Sequence, residues 1–152
     1  MPRWKRFGNR LADDAGSASL EFVVAGVLLL VPLTALVVVL GTIQAGAFAV
    51  EAAAAQAARV IAIAEEPAEG REAAELAIAF ALADHGFEPG QASVSIGCAP
   101  VAPCPSRGGT VTVAIDLAVP IPLVPSLFGA APPSVTLSAS ATRPVSRFSG
   151  LP

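Results

Sequence analysis

The chain has 152 residues, 54% of them hydrophobic, with nine Lys or Arg against twelve Asp or Glu and a formal net charge of −3. No Tyr, a single Trp and no basic stripe argue against nucleic-acid binding, which needs stacking platforms and cationic grooves. With the apolar N-terminal segment set aside, about 100 residues remain, enough for one small domain and too few for two.

Arg3, Lys5, Arg6 and Arg10 form a basic leader, followed by Gly16-Ser17-Ala18-Ser19-Leu20-Glu21. Residues 22–50 then carry no charged side chain. Fourteen Leu, Val or Phe lie in residues 22–40, and at roughly −0.3 to −0.6 kcal/mol each they favour insertion by about −4 to −8 kcal/mol. The run exceeds the ~20 residues that span a bilayer and the roughly 7 to 15 of a signal-peptide core. A signal-peptidase site at Ala45-Gly46-Ala47 would lie far from the leader and discard Glu21. The basic excess before the span predicts a cytoplasmic N-terminus, with everything after about Val50 outside.

Pro32 removes a backbone donor within this span and predicts a kink. Gly41, Ala45 and Ala49, spaced by four, line one face and are candidate helix-packing positions; an alanine-rich chain also scatters small residues on every face. Residues 51–66 are rich in Ala and free of Gly and Pro, so the helix is expected to continue as a stalk. A rod over residues 20–65 would measure roughly 65 to 70 Å. Pro67 and Gly70 are expected to break it.

A second helix is expected from Glu69 to about His85, with Ala73, Leu76, Ala77, Phe80 and Ala81 as its core stripe. Arg71, Glu72, Glu75 and Asp84 decorate the rest, and Gly86 is the stop. His85 reads as a helix-terminal residue.

After Pro89 the period becomes two. Val94 and Ile96, then Val111, Val113, Ile115, Leu117 and Val119, then Val135, Leu137, Ala139 and Ala141 each alternate with small or polar residues, predicting three half-buried strands. The expected fold is α+β: a long N-terminal helix, and a second helix packed on a small antiparallel sheet. The boundaries are a leader at 1–16, span and stalk at 17–66, and an exterior domain at 67–152.

Cys98 and Cys104 flank a proline-punctuated loop on the exterior side, where an oxidising compartment favours a disulfide. Their spacing is not Cys-x-x-Cys, and a metal site needs further ligands that the single histidine, His85, does not supply. In the proline-rich connection between the last two strands, Leu123, Val124, Leu127 and Phe128 either cover the sheet edge or form a contact patch. Gly108-Gly109 lacks the strand and helix of a phosphate cradle. Glu65, Glu66, Glu69, Glu72 and Glu75 read as a solvated helix start. No nucleophile–base constellation is visible, so neither an enzyme, a cofactor nor a small-molecule substrate is expected.

With these residues laid out, the chain resembles the TadE-like pseudopilins of tight-adherence (Tad/Flp) pilus systems, relatives of type IV pilins. The resemblance rests on Gly16 followed by Glu21 at the fifth position of a chain beginning at Ser17. It extends through the apolar span, Gln56-Ala-Ala-Arg59, the loop at 122–129, and the strand Val-Thr-Leu-Ser-Ala-Ser-Ala-Thr-Arg at 135–143. It implies cleavage by a prepilin peptidase after Gly16, with the Glu21 carboxylate receiving the new α-amino group of a neighbour. It also implies other pilin or pseudopilin subunits and the Tad assembly machinery as partners. Ser17 departs from the phenylalanine common at the first mature position of type IV pilins, which puts N-methylation in doubt. The exterior domain makes the chain too long for the major Flp pilin, so a minor pilin or pseudopilin is the closer match. The competing expectation is a membrane-tethered exterior binding domain with no filament role.

Overall fold

The computed structural model describes residues 8–100, 104–123 and 132–149, with side chains in the first helix described from Ser19 onward. Residues 1–7 of the leader lie outside the described residues. So do Val124, Leu127 and Phe128, and with them the choice between edge cover and contact patch. The chain divides into two compact units, Met1–Val39 and Leu40–Pro152.

Helix α1 (Gly8–Ile63) contributes residues to both units and is helical through Pro32. Thr34 donates its hydroxyl to the Leu30 carbonyl at 2.8 Å, the i−4 back-bond open to Ser and Thr within a helix. Leu20, Phe22, Leu28, Leu29, Leu30 and Leu33 are all exposed. With a mean hydropathy reaching 3.0, α1 is long and apolar enough to cross a membrane.

The second unit is an α+β domain with the expected strands. β1 (Ala92–Ala99), β2 (Thr110–Pro120) and β3 (Ser134–Pro144) form an antiparallel sheet in the order β1-β2-β3. Ile115 is level with Val94 on one side and Ala139 on the other, and Val113 with Ile96 and Ala141. Val111, Val113, Ile115, Leu117 and Val119 of the central strand are buried, while the residues between them face outward. On that outward face Thr112 and Thr142 share a hydrogen bond at 2.8 Å, and the Ser138 hydroxyl donates to Asp116.

Two helices cover the inner face. The stalk expected outside the domain is instead part of its core: Ala49, Val50, Ala53, Ala54, Ala57, Ala58, Ile61 and Ala62 of α1 are buried. The alanines allow this, because a helix of small side chains approaches a sheet of Val, Ile and Leu closely enough to exclude water. Gly46 marks the tightest approach, where an added Cβ would stand 2.7 Å from Val119 Cγ2 and 2.8 Å from Leu137 Cδ1.

Helix α2 (Pro67–Asp84) starts two residues earlier than expected, because Pro67 takes the first helical position, where a missing N–H costs nothing. Gly70 therefore does not break a helix. It lies inside α2 and packs on the end of α1, its Cβ position 3.4 Å from the Ile61 Cα and 2.8 Å from the Cβ of Ala64 just beyond that helix. The core stripe of α2 also differs from the expected one: Gly70, Ala74, Ile78 and Leu82 are buried, whereas Leu76 is 56% and Phe80 69% exposed. Two stripes offset by one residue fit the same alanine-rich sequence, and close approach to α1 at Gly70 selects the first.

At the end of α2, Phe87 N–H bonds to the Leu82 carbonyl at 3.0 Å and Gly86 N–H to the Ala83 carbonyl at 2.9 Å. This is the Schellman pattern, with Gly86 at φ +80 and the buried Phe87 beside the buried Leu82. His85 is the helix-terminal residue, as expected. A single 3-10 turn, Pro89–Gln91, then leads into β1, with the Glu88 N–H donating to Gln91 Oε1 at 3.0 Å.

Candidate functional site

Gly16 and Ser17 lie in the backbone of α1, which is already helical before the candidate cleavage point. Glu21 follows one turn later and is the only charged residue between Asp14 and Glu51. It shares an exposed helical face with Leu20, Val24, Ala25 and Leu28, the i, i+3, i+4, i+7 set of one side. Its carboxylate has no hydrogen bond or ion pair among the described residues. A charge in that position, at the edge of a span of apolar side chains, is costly without a partner.

Breaking the peptide bond after Gly16 would expose the first turn of a preformed helix. The backbone N–H groups of Ala18, Ser19 and Leu20 and the α-amino group of Ser17 would then stand free at its positive end. Side chains in a helix lean toward its N-terminus, so the Glu21 carboxylate would lie near that end and could accept from an amine presented there.

The three candidate helix-packing residues fall in different surroundings. Gly41 is exposed, and a Cβ there would meet nothing within 4 Å. Ala45 is partly buried against the core, and Ala49 is fully buried within it. The domain's own core thus occupies Ala49. The length of the uncharged run has the same explanation: residues up to about Leu40 have the exposed apolar surface of a span, while those from Gly46 serve the interior of the domain.

Cys98, at the end of β1, pairs with Cys104, their Cα atoms 5.6 Å apart, within the range a disulfide spans. The bond ties the edge strand to the loop that leads into β2. His85 and Asp84 border a shallow groove between α1 and α2, with Ala52, Gln56, Ala77, Phe80 and Ala81. Among the described residues no three His, Cys, Asp or Glu are placed to share a metal ion.

Sequence reasoning missed a second groove, between α2 and β1. Ala74, Glu75, Ile78, Pro89, Val94 and Ile96 line it. Val94 and Ile96 belong to the inner face of the sheet yet remain 44% and 37% exposed, beside Ile115 and Val113 at 0%. Strand alternation identifies the face on which they lie, but not whether a helix reaches far enough to cover it.

No family model, curated protein or solved structure matches the chain.

Proposed function

We propose that this chain is a minor pilin or pseudopilin of a Tad-type pilus or related secretion system, anchored by α1, cut after Gly16 and assembled through Glu21. In this reading the N-terminus is cytoplasmic and the α+β domain lies outside. The observation that carries it is the lone Glu21, five residues beyond Gly16 and without a partner among the described residues, on an exposed apolar helix. Cleavage supplies the missing partner as the Ser17 α-amino group of a neighbouring subunit. Two charges that are each expensive in a low-dielectric bundle offset one another there, given good geometry.

A prepilin peptidase, other pilin-like subunits and the assembly machinery are the partners, and the role is structural rather than enzymatic. The fold supports the assignment to a minor subunit, since the segment after Leu40 builds a domain around the helix rather than leaving a bare rod.

Mass spectrometry of the mature N-terminus tests the proposal. A product beginning at Ser17 is expected. An uncut chain, or one beginning near Phe48, overturns it and leaves a membrane-tethered exterior domain as the better reading.

A further inference from the structure

Neither the outer edge of β1 nor that of β3 pairs with another strand among the described residues. Natural sheets protect such edges with lysines, central prolines or bulges. Here β1 reads Ala-Ser-Val-Ser-Ile-Gly-Cys-Ala, with no charge at all, and β3 carries only Arg143 and a final Pro144. The groove beside β1 adds an independent sign, because its apolar residues Val94 and Ile96 lie on this edge strand and remain partly uncovered beside Ile78.

We propose that the β3 edge of one copy adds to the β1 edge of a second copy, continuing the sheet head to tail. β1 and β3 are each antiparallel to β2, so they run parallel to each other. Repeating the sheet in one direction therefore sets β3 parallel to the next β1, with both inner faces on the same side.

The side chains match in that register. Leu137, Ala139 and Ala141 stand level with Ala92, Val94 and Ile96 through their shared partners Leu117, Ile115 and Val113. Each large residue thus meets a small one. Pairing β1 with β1 would set Val94 and Ile96 against their own kind and bring two Glu75 rims together; pairing β3 with β3 would set alanines against alanines. Charge agrees, since Arg143 lies on the inner face, level with Cys98 of the next copy and one step beyond the groove that Glu75 borders. Such a contact is heterologous, so it joins copies head to tail into a ring or an open row of subunits. It uses only the second unit and is independent of cleavage at Gly16.

Ser95 and Ser140 are exposed on the outer face, level with each other through Ala114. In the proposed contact they would sit on adjacent strands, about 5 Å apart. Full-length chains carrying S95C or S140C, one enlarged by a tag, are treated in membranes with a short bis-maleimide, which ignores the paired Cys98 and Cys104. A single maleimide adduct on each variant verifies that the native pair is intact. Dimer is expected only when the two variants are mixed. Adding I96D to the S95C chain should lower that yield at least tenfold, while adding L76D, on the exposed side of α2, should leave it unchanged. Dimer from S95C alone or from S140C alone overturns the proposal in favour of a two-fold pairing. Absence of dimer in the mixture, or equal loss with both aspartates, overturns it outright.

Discussion

Gly46 of α1 lies directly over Val119 of β2, where a Cβ would come within 2.7 Å of Val119 Cγ2. Helix and sheet can meet so closely only because position 46 has no side chain. The same helix exposes Leu and Val in its earlier turns and buries Ala, Val and Ile in its later ones.

Gly46→Ala is expected to destabilise the domain. The overpacking penalty, about 1 to 3 kcal/mol, exceeds the gain of about 1 kcal/mol from better helix propensity. Gly41→Ala, with open space around it, should leave stability unchanged or slightly raised. Denaturant midpoints of the full chain in detergent, followed by resistance to proteolysis, compare the two.

The buried stripe of α2 makes a sharp distinction among neighbours. Ile78→Ala and Leu82→Ala remove side chains from the core and should each cost about 2 to 5 kcal/mol. Leu76→Ala and Phe80→Ala lie on the exposed side and should stay within about 0.5 kcal/mol. The same unfolding measurement separates them, and a larger loss at Leu76 than at Ile78 would restore the stripe expected from periodicity.

Replacing both Cys98 and Cys104 by Ser should lower stability by about 2 kcal/mol, the chain-entropy value for so short a loop. The loss should concentrate at the edge strand. Hydrogen exchange is expected to rise in β1 and to change little in β2, which is held on both sides by neighbouring strands.

Glu21→Ala should leave cleavage after Gly16 intact while reducing incorporation into surface filaments by tenfold or more. That is the effect of leaving a charged amine unpaired in an apolar bundle, about 3 to 5 kcal/mol. Quantifying the chain in sheared filaments against the membrane fraction reads the effect. Unchanged incorporation would remove Glu21 from assembly.

Much of the architecture was legible because its signals are local. The alternation of Val111 through Val119 marks a strand with one buried face, and Gly86 marks a helix end that needs positive φ. The motif from Gly16 to Glu21 was likewise readable as residues at a fixed spacing. The two buried faces of the helices were not. In 51–66 and 67–84 alanine occupies nearly every face, so periodicity favours no single side.

By itself the sequence determined the membrane-competent helix, the three strands, the cysteine pairing and a lone charge at the edge of the apolar run, since each follows from composition or short-range order. Only the tertiary structure decided that α1 continues into the core, that Ile78 rather than Leu76 faces inward, and that Val94 and Ile96 remain partly uncovered. Those outcomes depend on how closely two helices can approach one sheet, which Gly46 and Gly70 govern by the side chains they lack.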